Sequence, residues 1–305
     1  MCGIVGYVGR KQALNIALAA LERMEYRGYD SAGIAVLDGQ GAINIEKKAG
    51  KLDNLRNAID HIGTDHLTGT TGIGHTRWAT HGRPNDVNAH PHLSYDGKVA
   101  IVHNGIIENA DTLRAALIAD GETFASETDT EVAAHLLADV YRNAAGQDLT
   151  RAMQLASQRL EGAFTLLAVH VDHPDRVVAS RRNSPLVVGL GEGENFLGSD
   201  VAAFIDYTRT AVEIGQDEVV TITPDSVVIT DLAGKVVPGE QFEVDWDTAS
   251  AEKGGFSSFM DKEIHDQPQA VGDTLLGRFD TEGKLSLDEM HIDENVLKSI
   301  DKIVV

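Results

Sequence analysis

The chain has 305 residues, and its 47 acidic side chains outnumber its 26 basic ones, which gives a formal net charge of −21. Binding to nucleic acid or to an anionic membrane depends on clustered positive charge, so this balance argues against both partners. The single cysteine, Cys2, excludes an intrachain disulfide and fits a reducing compartment. With no apolar run long enough to span a membrane, we expect a cytoplasmic protein.

Hairpins and helices alternate along the chain. Asp-Gly pairs at 38–39 and 96–97 supply the positive φ of tight hairpin turns and therefore predict antiparallel strand pairs. Interspersed helical patterns make the fold class α+β, with layers in the order helix, sheet, sheet, helix. In chain order, we predict a helix over 11–25, strands over 33–37, 43–47 and 99–103, helices over 110–119, 130–141 and 150–160, and short strands over 162–223.

A change of composition after Gly239 predicts a domain boundary. The segment 240–255 is acidic and poor in apolar residues, and it contains a Gly-Gly pair, so we interpret it as a linker. It separates a first domain over 1–239 from a second segment over 256–305. The second segment begins with a helical pattern that we expect to end at Pro268.

Cys2 is the strongest candidate for a catalytic residue. Removal of Met1 would leave a thiol and a free α-amine on the same residue. An α-amine has a pKa of about 7.7–8.0 and a thiol one of about 8.5, so the amine can accept the thiol proton near neutral pH. The alternative is a small buried structural cysteine. Position 2, followed by Gly3 and a strand-like run, favours a nucleophile.

Polar groups elsewhere have both a structural and a functional interpretation. Arg77 is either a solvated surface arginine or a carboxylate ligand that donates two parallel hydrogen bonds. Asn104-Gly105 is either a hairpin turn or a pair of oxyanion donors. Four histidines lack the cysteine or carboxylate partners of zinc sites, so we expect no metal and no cofactor, and interpret them as hydrogen-bonding supports of a polar pocket. These are His75, His81, His90 and His92.

Two further segments have plain structural explanations. Thr128 and Glu131 fit a capping box, so Asp129 either serves the first turn of a helix or binds an ammonium group. The stretch around Arg27 and Asp30 resembles a turn between a helix and a strand, with those two side chains as an ion pair.

Six motifs stand in order along the chain: Cys2-Gly3-Ile4-Val5-Gly6, Tyr26-Arg27-Gly28-Tyr29-Asp30-Ser31-Ala32-Gly33, His75-Thr76-Arg77-Trp78-Ala79-Thr80-His81-Gly82, Asn88-Ala89-His90-Pro91-His92, His103-Asn104-Gly105-Ile106-Ile107-Glu108-Asn109 and Ser126-Glu127-Thr128-Asp129-Thr130-Glu131. Together they resemble the glutamine–fructose-6-phosphate amidotransferases, also called glucosamine-6-phosphate synthases, over essentially the whole chain. Other amidotransferases with an N-terminal cysteine differ in the Arg-Trp-Ala-Thr-His-Gly motif.

The resemblance implies an N-terminal-nucleophile hydrolase fold, a four-layer αββα sandwich with two antiparallel sheets between helical layers. It implies that Cys2 attacks the side-chain amide of glutamine with its own α-amine as base, and that Asn104 and Gly105 stabilise the oxyanion. Arg77 would bind the α-carboxylate, and Asp129 the α-ammonium. The remaining implied site residues are Arg27 and Gly28 beside the nucleophile, Thr80, His81 and His90 around the substrate, and Trp78 at the gate of an ammonia channel.

In the family, a larger isomerase half follows the glutaminase half, and 259–268 resembles its opening. The chain stops at Val305, before the sugar-phosphate loop, so 256–305 would be a truncated start of a sugar-isomerase domain. We therefore expect a glutaminase whose fructose 6-phosphate site and dimer interface belong to the missing half. The alternatives are another class II amidotransferase and a non-catalytic glutamine-sensing domain. The intact Cys2, Arg77 and Asn104 argue against the second.

Overall fold

The computed structural model describes residues 2–79, 82–244, 256, 259–275 and 298–301. The chain divides into two compact units, Met1–Glu252 and Lys253–Val305. None of the helices in these described ranges is long and apolar enough to cross a membrane.

Two antiparallel sheets form the centre of the first unit. The eight-stranded sheet has the order β14-β11-β9-β10-β1-β4-β2-β3, and the six-stranded sheet has the order β13-β12-β8-β7-β6-β5. Both predicted Asp-Gly hairpins are confirmed, the first between β2 and β3 and the second between β5 and β6. The strands are β1 (Gly3–Val8), β2 (Ser31–Leu37), β3 (Ile43–Ala49), β4 (Thr71–Arg77), β5 (His92–Leu93), β6 (Val99–Ile107), β7 (Gly162–His170), β8 (Val177–Arg182), β9 (Val187–Leu190), β10 (Asn195–Gly198), β11 (Thr210–Glu213), β12 (Glu218–Ile222), β13 (Val227–Asp231) and β14 (Glu240–Glu243).

Helices cover the outer face of each sheet, which confirms the predicted αββα sandwich. Two helices pack against the eight-stranded sheet and three against the six-stranded sheet. The four helices predicted in this unit are present, and a fifth, α2, was not predicted. The helices are α1 (Ala13–Arg23), α2 (Leu52–Ile62), α3 (Ala110–Ala119), α4 (Asp129–Asn143) and α5 (Leu149–Arg159).

Strand β1 shows why the sandwich needs apolar residues on both faces of its sheets. Val5 and Tyr7 belong to the core under α1, whereas Ile4 and Val8 belong to the core between the two sheets. Side chains of a strand alternate between its faces, so each central strand supplies two separate cores. All six residues of β1 are buried as a result. The residue before this strand, Cys2, therefore lies at the end of an interior strand of the eight-stranded sheet.

Two elements differ from the prediction in the first unit. Helix α2 buries Leu52, Leu55 and Ile59. This spacing marks one helical face, although we predict no helix there from the sequence. The linker predicted from residue 240 is wrong at its start, because β14 pairs with β11 there. All four residues of β14 are exposed, so this edge strand is held by backbone hydrogen bonds and has no apolar pattern to reveal it. The remainder of the predicted linker, 245–255, lies outside the described residues.

The second unit contains helix α6 (Phe259–Leu275). Its predicted end at Pro268 is wrong, because the helix contains this proline and continues past it. A proline inside a helix removes one hydrogen bond and costs about 3 kcal/mol, so it marks a helix end only as a tendency.

Candidate active site

A cleft of about 300 Å³ opens beside Cys2, which directly precedes β1. Eight of the residues predicted for the site line it. Gly28 lies against the same wall, where a Cβ would stand 2.6 Å from the backbone carbon of Arg77. Thr80 and His81 lie outside the described residues. The lining residues are Cys2, Arg27, His75, Arg77, Trp78, His90, His103, Asn104, Gly105, Ile106, Asp129, Thr130, Ala163, Asn183, Ser184 and Pro185.

The thiol of Cys2 is held by the chain that follows β4. The backbone N–H of Trp78 donates to Sγ at 3.0 Å. Burial raises the pKa of the thiol above its ordinary value, and the Trp78 N–H and the charge of Arg77 offset this only in part. The sulfur is therefore protonated at neutral pH. It needs a base to remove its proton before it can act as a nucleophile.

Asn104 and Gly105 lie inside β6, so their interpretation as a hairpin turn is wrong. The strand continues to Ile107 and pairs with β7 through Asn104 opposite Thr165 and Gly105 opposite Phe164. Gly105 has a φ of +120°, and a Cβ there would lie 2.0 Å from the carbonyl oxygen of Ala163. Glycine is required by this close approach of the neighbouring strand, and not by a turn.

The side-chain amide of Asn104 connects the nucleophile to a buried histidine. Nδ2 donates to the carbonyl oxygen of Cys2 at 2.9 Å. Oδ1 lies 3.0 Å from Nε2 of His75. Burial lowers the pKa of His75 to about 3, so its ring is neutral at physiological pH. The side chain of Asn104 and the backbone of Gly105 thus line the same cleft as the thiol.

Two side chains of opposite charge line the same cleft. Arg77, at the end of β4, is 4% exposed, and burial lowers the pKa of its guanidinium. Asp129 is the first residue of α4, and its Oδ2 accepts a hydrogen bond from the backbone N–H of Ile107 at 2.9 Å. Its side chain thus points away from the helix end. Capping falls instead to Thr128, whose side chain accepts from the N–H of Glu131.

The capping box predicted at this helix is only half correct. The carboxylate of Glu131 does not reach back to the N–H of Thr128. It accepts from the N–H of Ala125 at 2.8 Å and from the N–H of Ser126 at 2.7 Å. Glu131 therefore folds the loop before Asp129 against the helix instead of closing the box.

Three of the four histidines form hydrogen bonds at or near the cleft, as predicted, whereas His81 lies outside the described residues. The rings of His75 and His90 lie 4.3 Å apart and those of His90 and His92 lie 5.0 Å apart. Nε2 of His90 and Nε2 of His92 each lie 3.1 Å from a threonine hydroxyl, that of Thr130 and that of Thr128 respectively. Burial lowers the pKa of both rings well below the ordinary value.

The predicted ion pair between Arg27 and Asp30 is wrong. Arg27 pairs with Asp200, which follows β10 and is distant in the sequence. Oδ2 of Asp30 accepts from the backbone N–H of Ala79 at 2.8 Å. Sequence proximity predicts the wrong partner here, because the carboxylate that pairs with Arg27 lies on a segment that is distant in the sequence. Arg27 is consequently fixed in the wall of the cleft.

The geometry agrees with what comparisons with known proteins find. Residues 39–250 match the family of glutamine amidotransferase domains. The chain belongs to this family. Two relatives named glutamine–fructose-6-phosphate aminotransferase (isomerizing), from Corynebacterium efficiens and Streptomyces coelicolor, are 63% and 59% identical to it. In both cases the match covers 100% of this chain and 49% of the relative, so the chain spans about half the length of these relatives.

Solved structures support the fold of this amidotransferase domain. Glutamine phosphoribosylpyrophosphate amidotransferase from B. subtilis matches 77% of this chain and 50% of its own with a TM-score of 0.63 at 24% identity. A structure described as the allosteric regulatory enzyme of purine biosynthesis matches 76% of this chain and 49% of its own with a TM-score of 0.65 at 24% identity. At this identity the likeness shows the shared N-terminal-nucleophile fold alone.

Several cleft residues of the amidotransferase domain were not predicted from the sequence. Thr130, which bonds His90, carries no signal beyond its place in a helix. The segment Asn183-Ser184-Pro185 reads as an ordinary turn, and Asn183 has a positive φ of 56°. It reaches the cleft because it joins β8 to β9, strands of the two different sheets. Only the three-dimensional arrangement reveals that role.

Proposed function

We propose that this domain hydrolyses L-glutamine to glutamate and ammonia, with Cys2 as the nucleophile after Met1 is removed. One observation carries the proposal: a thiol, the Asn104-Gly105 pair and two side chains of opposite charge line one cleft of about 300 Å³. Glutamine has a matching set of groups, since an amide stands at one end and an α-carboxylate and an α-ammonium at the other. The match to the family of glutamine amidotransferase domains supports the same substrate.

The first chemical step forms a carbon–sulfur bond. The α-amine of the processed Cys2 takes the proton of the thiol, and Sγ attacks the amide carbon of glutamine. The carbonyl oxygen becomes an oxyanion that the Nδ2 of Asn104 and the N–H of Gly105 stabilise. Nδ2 carries two hydrogens, so one can remain on the Cys2 carbonyl while the other meets the oxyanion.

The second step breaks the carbon–nitrogen bond. The protonated α-amine of Cys2 returns its proton to the leaving nitrogen, which departs as ammonia, and a γ-glutamyl thioester remains on Sγ. A water molecule then loses a proton to the same amine and attacks the thioester. Glutamate leaves, and the thiol recovers its proton. The amine thus acts once as a base and once as an acid in each half of the reaction.

Recognition of the amino-acid end falls to Arg77 and Asp129. The guanidinium would bind the α-carboxylate through two parallel hydrogen bonds, and the free oxygen of Asp129 would accept from the α-ammonium. We assign further contacts with the substrate to Thr80, His81 and His90. Gly28 and the fixed Arg27 would shape the wall beside the nucleophile.

Trp78 is proposed to control the exit of ammonia. Its side chain is 49% exposed, and its ring lies 5.5 Å from that of Tyr29 in an edge-on arrangement. Its backbone N–H holds the thiol, so a movement of this residue would reach both the cleft mouth and the sulfur.

The acceptor of the ammonia is proposed from the relatives. Their name, glutamine–fructose-6-phosphate aminotransferase (isomerizing), identifies fructose 6-phosphate as the acceptor in those proteins. In the whole protein, the segment 256–305 would open a sugar-isomerase half that follows the glutaminase domain, and this domain would include the edge strand β14. That half would bind the sugar phosphate and form a homodimer in the cytoplasm. The domain described here would supply ammonia only.

An electrophilic glutamine analogue tests the assignment of the nucleophile. We expect it to add once per chain, on a peptide whose first residue is Cys2, and glutamine to protect against the addition. Attachment at any other residue would contradict the proposal. A glutamine-sensing domain, the alternative function, would bind glutamine without releasing glutamate.

A further inference from the structure

The amide of Asn104 has two ends, and only one of them can stabilise an oxyanion. The nitrogen end donates hydrogen bonds, whereas the oxygen end only accepts and would repel a developing negative charge. One end lies 2.9 Å from the carbonyl oxygen of Cys2. Because that oxygen is an acceptor, the end that faces it must be Nδ2. The useful end therefore already points toward the nucleophile.

The other end of the amide defines the protonation of His75. Oδ1 of Asn104 lies 3.0 Å from Nε2 of His75, and Oδ1 can only accept. Nε2 must therefore carry the proton. The ring is 1% exposed, and burial keeps its pKa at about 3, so it is neutral. A neutral ring with a proton on Nε2 has none on Nδ1, which identifies a single tautomer.

The ring of His75 cannot easily turn away from this contact. The ring of His90 packs against it in a tilted arrangement with 4.3 Å between centroids. The His90 ring is itself hydrogen-bonded to the hydroxyl of Thr130. His75 belongs to β4 of the eight-stranded sheet, and Asn104 belongs to β6 of the six-stranded sheet. The contact between them thus ties the two sheets together at the floor of the cleft.

We infer that His75 is a positioning residue for the oxyanion hole, whose Nε2–H keeps the Asn104 amide with Nδ2 toward the thiol. This inference rests on the proposed glutaminase function. Without the donor, only the carbonyl oxygen of Cys2 would favour this orientation of the amide. A flipped amide would present Oδ1 to the oxyanion and turn a stabilising contact into a repulsive one.

Two substitutions separate the hydrogen bond from the packing. His75→Gln keeps an N–H donor at nearly the same reach, and His75→Met fills a similar volume without a donor. For the Met variant we expect kcat to fall by roughly 10- to 100-fold with KM changed less than about threefold, because the lost contact acts in the transition state. The Gln variant should recover most of that loss.

A double-mutant cycle shows whether the effect passes through Asn104. In an Asn104→Ala background there is no amide to orient, so His75→Met should reduce kcat further by less than about threefold. Equal losses in both backgrounds would overturn the inference and indicate a general structural role for His75. A rise in KM with an unchanged kcat would also overturn it.

A measurement that does not depend on glutamine turnover tests the inference separately from the proposed function. Nitrogen-15 NMR of the inactive Cys2→Ala protein, which retains the native His75 and Asn104, should show His75 as the neutral tautomer protonated on Nε2, down to at least pH 5. A proton on Nδ1 would overturn the inference even if glutamine is hydrolysed as proposed. The expected tautomer together with a wild-type protein that releases no glutamate would contradict the proposed function instead.

Discussion

The residues proposed for the reaction and those proposed for recognition are held in different ways. Of the reaction residues, Asn104 and Gly105 lie inside β6, and Cys2 directly precedes β1. The recognition residues, Arg77 and Asp129, project charged side chains from the end of a strand and the start of a helix. Strand positions within a sandwich that is buried on both sides move little, whereas side chains at the ends of elements depend on their local partners.

The proposed function assigns different roles to these two sets of residues. The reaction residues would act on charge that develops only in the transition state, so their substitution should lower kcat. The recognition residues would contact groups that are the same in the substrate and in the transition state, so their substitution should raise KM. Substitutions in each set therefore sharpen the comparison or break it.

Apart from substitution of Cys2 itself, Asn104→Ala is expected to have the largest effect on turnover. Loss of one oxyanion donor should lower kcat by about 10²- to 10³-fold and leave KM for glutamine nearly unchanged. Steady-state kinetics of glutamate release measures both constants. An unchanged kcat would show that Asn104 does not stabilise the oxyanion. The distinction between reaction residues and recognition residues would then no longer hold.

Arg77→Ala should act mainly on binding. The loss of a charge-assisted, two-pronged contact to the α-carboxylate is worth roughly 1.5–3 kcal/mol, so KM should rise about 10- to 100-fold. Arg77→Lys retains the positive charge but cannot donate two parallel hydrogen bonds. It therefore serves as the matched control and should have an intermediate KM. A normal KM in the Ala variant would show that the carboxylate binds elsewhere.

Asp129→Asn is expected to have a smaller effect on KM. The variant keeps an oxygen that can accept from the backbone N–H of Ile107, so the local structure should persist. Only the charge that faces the α-ammonium is lost, and KM should rise about 10-fold at an unchanged melting temperature. A KM within twofold of wild type would leave the ammonium without an assigned partner.

A separate prediction concerns stability in acid rather than catalysis. Burial holds the pKa of His75 at about 3 in the folded protein, below the ordinary value of 6.5, so the unfolded chain takes up a proton first. The contribution of His75 to the free energy of unfolding is largest above pH 6.5. It decreases by about 1.4 kcal/mol per pH unit as the pH falls toward 3. Denaturant titrations should show a shallower loss for His75→Gln. An identical slope in both proteins would contradict a neutral buried ring.

Cys2 could be proposed as a nucleophile from the sequence because an N-terminal thiol with its own amine is a chemical unit that needs no distant partner. Asn104-Gly105 was ambiguous, because a hairpin turn and an oxyanion pair use the same dipeptide, and only the pairing of β6 with β7 excludes the turn. Antiparallel strand pairing was predictable from turn residues and apolar runs.

Contacts between distant segments were beyond prediction from the sequence. Arg27 pairs with Asp200 and not with the nearby Asp30, and the exposed β14 is held by backbone hydrogen bonds that leave no pattern of side chains. Lys47 is a further example, since its ammonium donates to the carbonyl oxygens of Val87, Ala89 and Pro91 at 2.7–3.1 Å. Such contacts position His90 and the cleft wall, but no local motif records them.

The central claim is tested most directly by comparing glutamate release by the Cys2→Ala protein with glutamate release by the wild-type protein. Both proteins should be compared at equal concentration after mass spectrometry has confirmed the loss of Met1. We predict steady turnover of glutamine by the wild type and none above background by Cys2→Ala, while the variant still binds glutamine. Turnover by the variant at the wild-type rate would contradict the account.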